Sequence, residues 1–147
     1  MSRSGLTLTE LVVVVVIIGV LLAFGVPRFN DWLQRESLRA ARRDLVTQLA
    51  RTRATAVHRG CPAVLHLDAQ TSRVWITACP VRGAGTETVG EIDNTSERFG
   101  VSFTADGDSV VFTPQGLAFA TSSVALRFSK GEYASSLEIT PVGRPAW

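Results

Sequence analysis

The sequence predicts an α+β fold in which one long N-terminal helix packs on an antiparallel, β-rich head. Three observations carry that prediction. Residues 11–26, LVVVVVIIGVLLAFGV, hold no charge. Leu38, Ala41, Leu45, Leu49, Thr52 and Ala56 then recur at spacings of 3, 4, 4, 3 and 4. After Gly60 the pattern changes to short β-prone runs separated by polar turns.

The apolar run comes first. Sixteen residues are short for a membrane span, which needs about 20. Counted from Leu6 to Val26 the run has twenty-one residues, about 32 Å as a helix. It then crosses a bilayer only with Glu10 inside it or at its edge. An ionisable group within a bilayer costs roughly 2.5–3.5 kcal/mol on insertion scales, which marks Glu10 as a functional residue. Val and Ile are poor helix formers in water, but lipid forces the backbone to bond within its own segment. A secretory signal peptide fits less well. Its basic region would be only Met1–Gly5, an acid precedes the apolar core, and Gly25–Val26–Pro27–Arg28 lacks the usual small-residue cleavage pattern. A plain anchor explains the length but neither Glu10 nor Gly5.

Pro27 is expected to kink or restart the helix, because it lacks an N–H and crowds the preceding turn. Beyond it, the stripe from Leu38 to Ala56 stays within about 40° of one direction, a surface for packing on a sheet. Arg28, Arg35, Arg39, Arg42 and Arg53 fall on one flank of that stripe. The formal net charge of +2 names no partner, but its distribution is uneven: Arg28–Arg59 carries a net +5 and Gly60–Trp147 a net −3. A solvated basic face, contacts to acidic neighbours and phosphate binding all fit. Arginines without interleaved aromatics are weak evidence for nucleic acid. The helix should end near Arg59–Gly60, where Gly60 suits a left-handed cap and Pro62 blocks continuation.

In the head, CPAVLHL and RVWITAC flank the polar turn DAQTS. A hairpin centred on Gln70 pairs Leu67 with Arg73, Leu65 with Trp75, and Cys61 with Cys79. If the head is exported, that cysteine pair should oxidise. A metal site built from His58, Cys61, His66 and Cys79 is the alternative, weakened because this register sends His66 to the opposite face and no CxxC or HxxxH spacing occurs. Residues 80–97 read as a long polar loop with Gly83, Gly85 and Gly90. VSF (101–103) and SVVFT (109–113) bracket TADGD, a hairpin signal centred on Asp106–Gly107. VALRFS (124–129) and SLEIT (136–140) bracket KGEYAS, and their alternation predicts sheets with one wet face.

SGLTLTEL, followed by the apolar run and Pro27, resembles the class III leader of type IV pilins and type II secretion pseudopilins. VVFTPQG (110–116) and LEITPVGR (137–144) resemble the paired strand-then-Pro-x-Gly segments of the GspH/FimT group of minor pilins. Both glycines stand where a turn after a strand needs φ > 0. The resemblance implies a pilin-like fold divided into a leader (1–5), a transmembrane and filament-core helix (6–27), an amphipathic helix (28–60) and a head (61–147). It implies cleavage between Gly5 and Leu6 by a prepilin peptidase, with N-methylation of Leu6. Partners would be other major and minor pilins or pseudopilins and an inner-membrane assembly platform. The chain would span the inner membrane once with its head outside the cytoplasm, then enter a filament. Cleavage creates an amine on Leu6, and a neighbour's Glu10 carboxylate is its natural counter-ion; such a buried pair sets register more than it adds stability. In some DNA-uptake relatives, basic residues around the C-terminal Gly-Arg contact DNA. Arg144, with Arg35, Arg39 and Arg42, are the corresponding candidates, although no second arginine follows Arg144. Trp147 is expected to pack on the head rather than stack on a base.

No enzyme constellation emerges, and no cofactor is implied. The histidines are His58 and His66, Asp106 and Asp108 lie in a turn, Ser122–Ser123 lacks elbow glycines, and Gly83–Ala84–Gly85 lacks both the third glycine and the helix of a phosphate loop.

Overall fold

The computed structural model describes residues 7–119 and 123–146. Gly5, Leu6, Ser122 and Trp147, all named above, lie outside the described residues. Contacts divide the chain after Gln34 into two units.

Helix α1 (Leu8–Arg59) runs for 52 residues. It continues through Pro27, so the chain does not restart there; a proline removes only one helical donor. In the second unit the predicted stripe is the buried face. Leu38, Ala41, Leu45, Leu49, Thr52 and Ala56 are each 4% exposed or less. Thr52 is tolerated there because its hydroxyl donates to the Gln48 carbonyl at 2.7 Å. The helix ends as expected, with Gly60 at φ 66°.

The strands β1 (Ala63–Asp68), β2 (Arg73–Ala78), β3 (Glu87–Thr88), β4 (Asp93–Asn94), β5 (Ser102–Ala105), β6 (Ser109–Phe112), β7 (Val124–Lys130), β8 (Tyr133–Ile139) and β9 (Pro145–Ala146) form two sheets, and a short helix α2 (Thr95–Phe99) lies between β4 and β5. The first sheet has the order β3-β2-β1-β6, with β4 also on β2, and the second has β5-β7-β8-β9. All pairings are antiparallel. One apolar cluster joins both sheets to the helix stripe. Phe103 and Phe128, opposite each other on β5 and β7, have ring centroids 5.9 Å apart.

Two pairings differ from the sequence expectation. The β1–β2 register is shifted by one: Leu67 faces Val74 and Leu65 faces Ile76. Cross-strand partners share a face, and the buried residues are Ala63, Leu65 and Leu67 on β1 but Val74, Ile76 and Ala78 on β2. Odd must therefore meet even, and a slip of one would turn a whole strand inside out. The turn enforces this register. Asp68 accepts from the Gln70 and Thr71 amides and from the Thr71 hydroxyl, and Ser72 takes φ 54°. Secondly, β5 and β6 are not a hairpin. β5 pairs with β7 and β6 with β1, so Asp106–Asp108 is a corner between sheets. Asp106 exchanges backbone and side-chain bonds with Ala125, while the Asp108 carbonyl accepts from the Leu67 amide at 2.8 Å. A Cβ on Gly107 would lie 3.2 Å from Val124 Cγ2, so the glycine serves a close approach rather than a hairpin turn.

The 80–97 loop holds more structure than its composition suggests. It supplies β3, β4 and the start of α2, whose first turn is capped by Asn94 Oδ1 accepting from the Glu97 amide. β7 and β8 pair as a hairpin whose strands run further than the two predicted runs: Lys130 and Tyr133–Ser135 of KGEYAS are strand, and Lys130 faces Tyr133 across Gly131–Glu132.

Candidate functional site

The N-terminal end of α1 is built from TLTE. Thr7 Oγ1 accepts the Glu10 amide at 3.3 Å, and the Thr7 carbonyl accepts the Leu11 amide at 3.2 Å. This is the T-x-x-E pattern of a helix start, a signal the reading of Glu10 as a membrane acid passes over. Glu10 is exposed, in the first turn of a helix whose N-terminal end carries a positive partial charge. Glu10 thus stands in the first helical turn, its amide capped by Thr7.

Every large apolar residue from Leu11 to Leu22 is about half exposed or more, and Leu8 reaches 81%. An 18-residue window of this helix has mean hydropathy 2.7. A helix apolar on all sides needs lipid or other helices around it.

The head presents its own features. Cys61 and Cys79 form a disulfide with Cα atoms 6.3 Å apart. It ties the segment after α1 to the end of β2, despite the shifted register, because both cysteines lie outside the paired residues. Nearby, Arg59 donates to the Cys79 carbonyl and to Glu87 Oε1. His66 stacks on Trp75 with centroids 4.9 Å apart, and its Nε2 lies 2.8 Å from Thr77 Oγ1. Burial lowers its pKa below the usual imidazole value. The disulfide occupies both thiolates that a metal site would have used, and no metal-holding group of three His, Cys, Asp or Glu occurs among the described residues.

Of the arginines proposed for nucleic acid, Arg35, Arg39 and Arg42 share one flank of α1, and Arg144 stands apart from them. Arg35 lies over the Tyr133 ring at 4.8 Å. Arg39 pairs with Glu36 at 3.4 Å, and Arg42 donates to Ser135 Oγ at 3.1 Å. Arg144 is exposed beyond the far end of β8, its amide bonded to Thr140 Oγ1. Five residues of strand separate Ser135 from Thr140, about 17 Å. Another arginine, Arg98, bridges Asp44 of α1 at 3.2 Å and Asp93 of β4 at 3.0 Å. Burial, then the Asp93 carboxyl beside it, raises the Asp44 pKa, against the pull of Arg98 and Arg51. This bridge stands at the edge of a cleft of about 860 Å³ lined by Gln48, Arg51, Thr55, Ile76, Val89 and Ile92.

The two Thr-Pro-x-Gly segments adopt one geometry. Gly116 donates to the Thr113 carbonyl and Gly143 to the Thr140 carbonyl, each at 2.8 Å. Thr113 and Thr140 donate their amides to the carbonyls of Leu117 and Arg144, and their hydroxyls accept from the amides of the same two residues. Both glycines have φ 76°, as their place in the sequence predicts. Gly116 packs on Val57 and Arg53 of α1, and Gly143 packs on Phe112 and Ala118.

A family model described as type II transport protein GspH matches residues 41–143. The fold is similar to that of the type IV minor pilin FimU of Pseudomonas aeruginosa, at 15% identity and TM-score 0.60, covering 78% of this chain and 90% of that one. It is also similar to the minor pseudopilin EpsH from the type 2 secretion system of Vibrio cholerae, at 9% identity and TM-score 0.55, covering 75% and 94%. No curated protein sequence matches.

Proposed function

The chain belongs to the type II transport protein GspH family, a family of pilin-like filament subunits rather than enzymes, and on that premise we propose that it is a minor pilin or pseudopilin assembled through its N-terminal helix. The observation that carries this reading is the exposed apolar length of α1 ahead of a unit with its own core. In this reading a prepilin peptidase cuts between Gly5 and Leu6, Leu6 is N-methylated, and residues 6–27 first span the inner membrane. Residues 28–60 and 61–147 then stand outside the cytoplasm as amphipathic helix and head. The disulfide supports that side, since such bonds persist in oxidising compartments. The arginines after the span do not oppose it, because long domains translocate largely regardless of charge.

Assembly then uses Glu10. Its carboxylate pairs with the Leu6 amine of a neighbouring subunit, and removing one member of a buried pair leaves the other uncompensated at a cost of about 3–5 kcal/mol. An assembly platform and other pilins or pseudopilins supply the rest of the filament. The test is expression with a prepilin peptidase and the cognate filament proteins. Mass spectrometry should find the chain shortened by residues 1–5, and Glu10→Ala should be processed yet excluded from filaments. Normal incorporation of Glu10→Ala overturns the role of Glu10. The alternative, a minor pilin that captures DNA for uptake, loses support from the separation of Arg42 from Arg144. A salt-dependent mobility shift abolished by Arg144→Glu would restore it.

A further inference from the structure

Helix α1 has a second apolar surface that its charge-free run does not include. Phe29, Trp32 and Leu33 are 58%, 55% and 42% exposed, and the rings of Phe29 and Trp32 stack with centroids 5.9 Å apart. At spacings of three and four, these residues lie on one face of the helix. We propose that this face is an interfacial anchor, seated in the phospholipid headgroup layer on the head side of the membrane before assembly. This rests on the reading of α1 as a membrane span.

Helix length and charge select that occupant. Residues 11–26 cover only about 24 Å, short of a hydrocarbon core of about 30 Å. The missing length comes from one end of the run or the other. Taking it from the C-terminal side would draw Arg28 into hydrocarbon and bring Asp31 to its edge, two opposite charges that are costly to take out of water. Taking it from the N-terminal side recruits Leu8 and Thr9 and puts a single ionisable group, Glu10, within one turn of the boundary, on a helix turn that Thr7 already caps. With Leu8 at one hydrocarbon boundary, Phe29 stands about 31 Å along the axis and Trp32 about 36 Å. The first is at the opposite boundary and the second is within the headgroups. Aromatic side chains with one apolar and one polar end concentrate at that level, and the exposed Arg28 beside them reaches the phosphates along its aliphatic stem. The stacked pair therefore fixes how far α1 is drawn into the membrane, and so the depth at which Glu10 waits.

The experiment uses the full chain with Trp75→Phe and Trp147→Phe, leaving Trp32 as the sole tryptophan, in phosphatidylcholine–phosphatidylglycerol vesicles. Flotation with the vesicles tests the span itself. Bromines at carbons 6 and 7 of the acyl chain should quench Trp32 more than bromines at carbons 11 and 12, with emission blue-shifted from that in water. Flotation with unquenched Trp32 overturns the anchor and leaves the span standing, as expected if this face waits for a neighbouring subunit. Stronger quenching by the deeper bromines also overturns it. Failure to float overturns both. If the double variant misfolds, a nitroxide at Trp32→Cys in the otherwise native chain gives the same depth from its collisions with oxygen and a water-soluble nickel chelate. Greater access to oxygen than at exposed Thr104→Cys supports the anchor, and equal access refutes it.

Discussion

Replacing Gly143 with alanine probes the contact between the second Thr-Pro-x-Gly turn and the core. At φ 76° an L residue costs about 1–2 kcal/mol. The new Cβ would also lie 2.6 Å from Phe112 Cε1 and 2.8 Å from Ala118 Cβ. Phe112 is 1% exposed and cannot swing into solvent, so overpacking adds about 1–3 kcal/mol. The expected loss is about 2–5 kcal/mol, against a total stability of about 5–15 kcal/mol for a domain. At this size that lowers the melting temperature by about 8–20 °C. Gly116 supplies the control. Its φ is the same, but its Cβ would meet Val57 Cγ2 at 3.1 Å, and Val57 is 54% exposed and free to shift. Gly116→Ala should therefore cost only the backbone part, about 1–2 kcal/mol. Urea unfolding of residues 35–147, oxidised, measures both. Adding Ala118→Gly to Gly143→Ala should recover about 1 kcal/mol through coupling between contacting sites. Equal losses for the two glycines, or a loss below about 1.5 kcal/mol at Gly143, would refute the steric argument.

Reducing the Cys61–Cys79 bond frees a loop of sequence separation 18, which should cost about 3 kcal/mol; mass before and after reduction should differ by two protons, and an unchanged melting temperature would oppose a stabilising role. Because burial and Asp93 raise the Asp44 pKa above its ordinary 3.8, the folded state holds that proton more tightly than the unfolded one, so this contribution is present at low pH and lost as pH rises through the folded value. Asp44→Asn, which mimics the protonated form, should be at least as stable as the native chain at pH 7 and lose any advantage as pH falls towards 3.8, measured by paired urea titrations. His66 has the opposite sign: burial lowers its pKa from 6.5, so its contribution is present above 6.5 and lost as pH falls through the folded value. His66→Gln should flatten the stability profile below pH 6.5, and an unchanged slope would count against burial as the cause.

Local signals and tertiary choices divide cleanly along this chain. The stripe from Leu38 to Ala56 was readable because helical period alone chooses its face. The start T-x-x-E at Thr7–Glu10 is equally local, since the cap joins residues three apart. The β1–β2 register was also latent in the sequence, in the odd apolar positions of one strand and the even ones of the other; centring the turn on Gln70 overrode that parity. Asp106–Gly107 is different. The same dipeptide serves a hairpin or a corner, and only the pairing of β5 with β7 and β6 with β1 decides between them. The partners of the arginines are likewise tertiary: Arg42 and Arg98 find Ser135 and Asp44 because folding brings distant segments to the helix.

The sequence by itself determined the apolar span, the buried helical face and the two glycines at φ 76°, since each depends on residues within a few positions of one another. Only the tertiary structure decided which strands share a sheet, which arginines are already engaged and what Gly143 touches, since those depend on which buried surfaces meet.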